Sequence, residues 1–314
     1  MRYFRNFVVS SIVIILMFFC SAGNCYATDF IIVDVSQQLY SYESLFEDMA
    51  LLTLGHEDIM SYESRAITSQ GRNVWLIKFG DFQAENKILI TASIHAREYM
   101  SSQLVMRMLE EYVLNYDVPN SDGITYRQCF VNTCFYILPM VNPDGVTICQ
   151  NGTKSIKANA NGVDLNRNFP LGFGSGPRVA SVPGLAYYPG VSPLSEPETQ
   201  AMAILLNEND FCAGINYHSM GNIIYYGAST NTPEVAEGCK KMADLVHAIN
   251  GYRREYCGNA IGSFADYFGT VEMAPSVTIE IGTANPVPIS QFSGIYAKNL
   301  PVWPIVAATY SLTN

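Results

Sequence analysis

The chain has 314 residues, 49% hydrophobic and only 15% charged, with a formal net charge of −10. That composition supports a large buried core, and an acidic balance without any Lys/Arg cluster argues against nucleic acid and against an anionic membrane surface as partners. Partners are expected to be small, or neutral to cationic. At the start of the chain, Arg2 and Arg5 precede an apolar run from Phe7 to Cys20, and Cys25-Tyr26-Ala27 offers a small-residue cleavage site, so residues 1–27 read as a secretory signal. The apolar run is shorter than the roughly 20 residues of a spanning helix. No later stretch is long and apolar enough for a stable membrane span, so a secreted or envelope-associated protein is expected, with cleavage or retention of the signal left open. Residues 28–39 read as a short extension and residues 40–314 as one catalytic domain; no feature speaks to oligomeric state.

From there strand and helix patterns alternate. Val74 to Phe79 and Lys87 to Ala92, separated by a turn-like Gly80-Asp81, read as neighbouring strands. Leu104, Val105, Met108, Leu109, Tyr112 and Val113 recur at helical spacing, which predicts a helix from about Glu98 to Tyr116. Cys134 to Val141 is an apolar run of strand length, closed by a turn at Asn142-Pro143-Asp144-Gly145. Gly172 to Pro193 reads as a long surface loop, and Ser195-Glu196-Pro197-Glu198 as a capping box opening a helix through Met202, Leu205 and Leu206. Cys212 to Tyr217 and Ser276 to Ile281 are two further buried strands. The pattern is that of an α/β fold, a single-domain α/β/α sandwich with a mixed, mostly parallel twisted sheet. Six cysteines lie beyond the signal, at 129, 134, 149, 212, 239 and 257; disulfide pairing and buried free thiols both remain open, and no Cys-x-x-Cys zinc spacing occurs.

Chemistry concentrates at three points. His95 and Glu98 stand three residues apart after one strand, and His218 follows another. Two His and one Glu form a catalytic zinc set that leaves a position open for water, so one Zn2+ per chain is expected. In Ser276-Val277-Thr278-Ile279-Glu280-Ile281 the apolar residues point to one side and Glu280 to the other. A carboxylate in such a run is costly to bury unless it is paired or used, which makes Glu280 a candidate general base, with a salt-bridge role as the alternative. His56 and His247 stand beside no motif and read as structural.

Six motifs in order carry a family resemblance: His95-x-x-Glu98, Asn142 to Gly145, Gly162-Val163-Asp164-Leu165-Asn166-Arg167-Asn168-Phe169, Ser195 to Thr199, His218, and Thr278-Ile279-Glu280. From about Tyr40 to the C-terminus the chain resembles zinc carboxypeptidases of the carboxypeptidase A/B type. The resemblance implies zinc on His95, Glu98 and His218, Glu280 as base, and Asn166 and Arg167 gripping the substrate's terminal carboxylate. It also implies Arg97 lining a subsite beyond the scissile bond and Asp164 orienting His95. Digestive members carry an oxyanion-stabilising Arg before the Gly-Val-Asp motif. The matching segment here is Ser155-Ile156-Lys157-Ala158-Asn159, which leaves Lys157 as a point charge for that task. With the ending from Gly282 to Phe292, this departure resembles the bacterial branch that cleaves γ-D-glutamyl–diamino acid bonds, implying a cell-wall stem peptide as substrate. A general metallocarboxypeptidase and a zinc amidase or deacylase of small acyl amino acids are the alternatives.

Overall fold

The computed structural model describes residues 31–311; the proposed signal and residues 28–30 of the extension lie outside them. The strands are β1 (Met60–Ile67), β2 (Asn73–Gly80), β3 (Asn86–Ala92), β4 (Thr133–Leu138), β5 (Phe211–His218), β6 (Ile223–Ala228), β7 (Arg253–Gly258) and β8 (Ser276–Glu280). They form one sheet in the order β1-β2-β4-β3-β5-β8-β6-β7. The centre, β4-β3-β5-β8, is parallel, while β1-β2, β2-β4 and β8-β6 pair antiparallel. The helices are α1 (Tyr42–Thr53), α2 (Met100–Leu114), α3 (Tyr126–Cys129), α4 (Pro143–Gln150), α5 (Pro197–Asn207), α6 (Pro233–Asn250), α7 (Phe264–Val271), α8 (Phe292–Asn299) and α9 (Val302–Ser311).

The period-2 alternation of the central strands divides the core into two layers. Ile88, Ile90, Phe135, Ile137, Ile215 and Val277 join the layer containing Leu45, Leu104, Val246 and Trp303 from α1, α2, α6 and α9. Leu89, Tyr136 and Leu138 face the other way and join Met202 and Leu205 of α5 and Phe264 and Phe268 of α7. This is the expected α/β/α arrangement.

Three local expectations are corrected. The strands read from Val74 to Phe79 and from Lys87 to Ala92, β2 and β3, are not neighbours, because β4 pairs with both and separates them. All six β4 residues are buried, so both its faces need cover and it belongs inside the sheet, whereas half-exposed β1 takes the edge. Asn142-Pro143-Asp144-Gly145 is a helix start rather than a closing turn: Asn142 Oδ1 accepts the Gly145 N–H at 2.9 Å and Pro143 opens α4. Ser195 does not cap α5, whose N-cap residue is Glu196 without a side-chain cap. Ser195 Oγ instead donates to Glu196 Oε1 at 2.7 Å, and Glu196 Oε2 accepts from Asn159 and Asn161, both at 2.8 Å, which ties α5 to the loop carrying Asp164.

Trp303 of α9 is fully buried, stacks on Phe135 of β4 at 5.3 Å and donates its indole N–H to Tyr217 OH at 3.1 Å. It pins a terminal helix to two central strands. Trp303→Ala is expected to destabilise the fold by about 3–5 kcal/mol, as cavity-forming aromatic truncations do. The measurement is the denaturant midpoint, with the slope of the transition unchanged.

Candidate active site

The chain order of the central strands decides what meets. His218 ends β5, Glu280 ends β8 and His95 follows β3 by three residues, and these are adjacent parallel strands with His218 opposite Glu280. Their carboxyl ends therefore converge at one edge of the sheet. To leave β3, the backbone passes through Ser93 at φ +50°, a region that non-glycine residues avoid. Three hydroxyls hold it there: Ser93 N–H donates to Ser101 Oγ at 3.0 Å, and Ser93 Oγ lies 2.6 Å from Ser102 Oγ and 3.0 Å from Ser101 Oγ. Ser101 Oγ also donates to Glu98 O at 2.7 Å, fixing the short 3-10 turn Ala96–Glu98. Sequence reasoning missed this serine set, for which adjacent serines at a helix start are the only local signal.

The result is a knot of donors. His95 Nδ1 lies 3.0 Å from Glu98 Oε1, His218 Nδ1 lies 2.9 Å from Glu98 Oε2, and the two Nδ1 atoms lie 3.2 Å apart. Four ligands at zinc's usual bond lengths in a tetrahedron stand about 3.3 Å from one another, and each of these donor pairs has close to that spacing. All three residues are buried, and they form the one such group of His, Cys, Asp or Glu among the described residues. Burial pushes the Glu98 carboxyl up, but the two imidazoles outweigh it and hold the group well below the usual range. A carboxylate and two imidazole nitrogens thus face one small space, a donor set that suits a dication.

Behind His95, Nε2 lies 3.3 Å from Asp164 Oδ1, an electrostatic contact whose angle falls short of a hydrogen bond. Burial opposes the Asp164 charge, and His95, Lys157 and Arg167 outweigh it, so the carboxylate stays ionised. Its other oxygen accepts the Tyr187 N–H at 3.1 Å. Tyr187 sits in the loop 172–193 at φ +67°, another position that non-glycine side chains rarely hold. That loop is built into the site: Leu185 O accepts the N–H groups of Lys157 and Ala158, and Tyr188 O accepts that of Asp164. Glu98 is held from the far side, its Oε2 accepting the Ser219 N–H at 3.1 Å, while Asn285 Nδ2 donates to Ser219 O at 2.7 Å. Neither Tyr187 nor Asn285 carried a sequence signal.

Glu280 Oε2 is buried without a partner. Burial first, then the Glu98 charge, raises its pKa, against the pull of His218, Lys157 and Arg97. Lys157 Nζ stands 5.8 Å from the Tyr187 ring centre, and Arg97 donates from Nη1 to Ser155 O at 3.3 Å while its buried Nε has no partner. On the other flank, Asn166 Oδ1 accepts the Phe264 N–H at 2.8 Å, leaving the amide NH2 as its donor, and Arg167 Nη1 donates to Asn166 O at 2.7 Å. The structure thus brings every candidate residue to one sheet edge. His56 and His247 stay apart, bonded to Leu52 O and Tyr252 O.

The zinc carboxypeptidase family pattern matches residues 46–293, more than three quarters of the chain. The chain belongs to the zinc carboxypeptidase family. It is therefore a metallopeptidase-type hydrolase of a zinc-using family, and His95, Glu98 and His218 form a group that could hold the metal. Among relatives, the chain is 29% identical over 291 residues to gamma-D-glutamyl-L-diamino acid endopeptidase 1 of Lysinibacillus sphaericus, covering 85% of this chain and 72% of that protein. Carboxypeptidase O of Bos taurus is 27% identical over 256 residues, covering 73% of this chain and 65% of that relative. In fold, thrombin activatable fibrinolysis inhibitor superposes with a TM-score of 0.78 at 20% identity, covering 95% of this chain and 80% of that one.

Metal analysis checks the ligand set. His218→Ala is expected to retain no zinc and His247→Ala a full equivalent, since His247 is occupied by Tyr252 O. Asp164→Asn is expected to weaken zinc binding by about 10–100-fold, the usual cost of losing the group behind a ligating imidazole. Equal zinc in all three variants would refute the assignment.

Proposed function

We propose that this family member is an exported peptidase that cuts γ-D-glutamyl–diamino acid bonds in peptidoglycan stem peptides, next to a free carboxylate. The observation that carries the reading is the identity with the endopeptidase of Lysinibacillus sphaericus along 85% of the chain. Two further features support it. Residues 1–27 have the pattern of an export signal, and no helix among the described residues is long and apolar enough to cross a membrane.

In this reading Arg167 pairs with the leaving residue's carboxylate through two parallel N–H bonds, and the Asn166 NH2 adds a third donor. Bound zinc supplies a Lewis acid for the scissile carbonyl and lowers the pKa of water. Glu280, whose buried Oε2 has no hydrogen-bond partner, takes a proton from the attacking water and hands it to the leaving amine. Lys157, whose charge acts on Asp164 and Glu280 alike, offsets the developing oxyanion. Asp164 keeps the His95 ring oriented, so that Nδ1 remains the ligating atom.

Two measurements test this. Glu280→Gln keeps the shape and removes the base, so turnover is expected to fall by at least about 10²-fold with zinc content unchanged. A panel of three substrates then decides the bond: a γ-D-glutamyl–diaminopimelate peptide, the same peptide with the leaving residue's backbone carboxylate amidated, and an ordinary L-peptide ending in Phe. The first is expected to be cut best. Amidation is expected to cost roughly 2–5 kcal/mol in kcat/KM, most of it lost when Arg167→Ala removes the anchor. If the Phe peptide wins, the chain is a general carboxypeptidase; if only small acyl amino acids are cut, it is an amidase or deacylase.

A further inference from the structure

The distribution of charge around the site departs from the chain as a whole. Net charge is −10, yet four cations gather at the sheet edge: Arg97, Lys157, Arg167 and Arg178. Most lysines and arginines among the described residues have a carboxylate within 4.0 Å, but none of these four does. An acidic protein with carboxylates to spare has left its site cations unneutralised. One terminal carboxylate on the substrate uses Arg167 and leaves three.

The four divide into two flanks. Arg167 adjoins α7, where its charge acts on Asp266, and Asn166 beside it is bonded to the first residue of that helix. The other three surround Tyr187. Arg178 Nη1 donates to Tyr187 OH at 3.3 Å with its guanidinium 5.9 Å from the ring centre, and Lys157 Nζ stands 5.8 Å from the same centre. The Arg178 hydrogen bond and the charges of Lys157, Arg178 and Arg97 together lower the Tyr187 pKa. Lys157 O accepts the Ala96 N–H at 3.1 Å and Ile156 O the Arg97 N–H at 3.0 Å, which sets this flank against the His95–Glu98 turn, and the charges of Lys157 and Arg97 act on Glu280. Two details indicate that it faces a ligand. Arg97 Nε is a buried donor with no partner, and Tyr187 is held in a strained backbone conformation by its N–H bond to Asp164, its ring bridging the cations.

We infer that Arg97 and Arg178, bridged by Tyr187 and backed by Lys157, bind a second substrate carboxylate on the acyl side of the scissile bond. This rests on the proposed function and sharpens it. A glutamyl residue linked through its side-chain carboxyl keeps its own α-carboxylate free, one short chain away from the bond that is cut. A substrate of that kind carries an anion on each side of the scissile bond, matching the two cationic flanks. The expectation from net charge, that partners are neutral to cationic, is reversed locally.

The test compares two γ-D-glutamyl–diamino acid peptides, one with the glutamyl α-carboxylate free and one with it as a carboxamide. The zinc-loaded wild type is expected to prefer the free acid by at least about tenfold in kcat/KM, and 0.5 M salt is expected to shrink that ratio. Arg178→Ala is expected to lower the ratio severalfold and Arg178→Lys to restore part of it; Arg97→Gln with Arg178→Ala is expected to bring it near one. Equilibrium binding of the two peptides to Glu280→Gln is expected to show the same ordering without turnover. A wild-type ratio near one overturns the inference. So does an Arg178→Ala variant that slows both peptides equally, which would make Arg178 a prop for Tyr187. If neither γ-linked peptide is cut, the proposed function fails, and the flank is read on α-linked peptides with Glu or Gln before the scissile bond. An Arg178-dependent preference for Glu then supports the flank, and its absence refutes it.

Discussion

Two imidazole nitrogens 3.2 Å apart, each within 3.0 Å of one oxygen of the Glu98 carboxylate and on residues that water scarcely reaches, are the constraint on which this molecule is organised. Left alone, an ionised Glu98 and two inward-facing imidazole nitrogens repel or compete for a single proton. A dication turns that conflict into a bond set. Much of the surrounding structure serves to keep the donors from relaxing apart. The serine set at 93, 101 and 102 holds the strained exit of β3, Ser219 and Asn285 hold Glu98, and Asp164 faces the back of His95.

The family's ordered motifs acquire separate physical duties in this arrangement. Asn142 caps α4 and also donates to Ile94 O at 3.3 Å, so the helix start and the ligand turn support each other. Glu196 and Asn159 tie α5 to the loop that carries Asp164. Asp144 accepts from Arg72 at 2.8 Å and from the Gln70 N–H at 2.9 Å, joining α4 to the β1–β2 hairpin. Several motif residues outside the ligand set are therefore braces. Buried polar groups satisfied in this way make a unique site geometry at the cost of tolerance to substitution.

Charge follows the same division between whole and part. The chain as a whole is acidic, while at the sheet edge the unneutralised guanidinium and ammonium groups set the local potential. Arg97 and Lys157 act on Glu280 itself, so the groups that attract an anion also bias the base towards its ionised form. Glu98 opposes them. The base is thus poised between a like-charged ligand and two cations, a balance that burial amplifies.

Sequence by itself determined the layers and the donor identities. The apolar run in Lys87 to Ala92, alternation in Ser276 to Ile281 and helical spacing in Leu104 to Val113 are short-range patterns, and the strands and helix they imply are present in the fold. His95, Glu98 and His218 were legible as a two-His, one-Glu zinc set, and Glu280 because a carboxylate in an apolar strand is costly to bury without a use. Tertiary structure decided the rest, because strand pairing, side-chain hydrogen bonds and charge proximity join residues distant in sequence. It placed β4 between β2 and β3, turned Asn142 to Gly145 into a helix start, and made Glu196 a tether. It also brought Tyr187 against Asp164, 23 positions away, and grouped Arg97, Lys157 and Arg178 around one ring. No local pattern encodes those meetings, since each depends on where two loops and three parallel strands end in space.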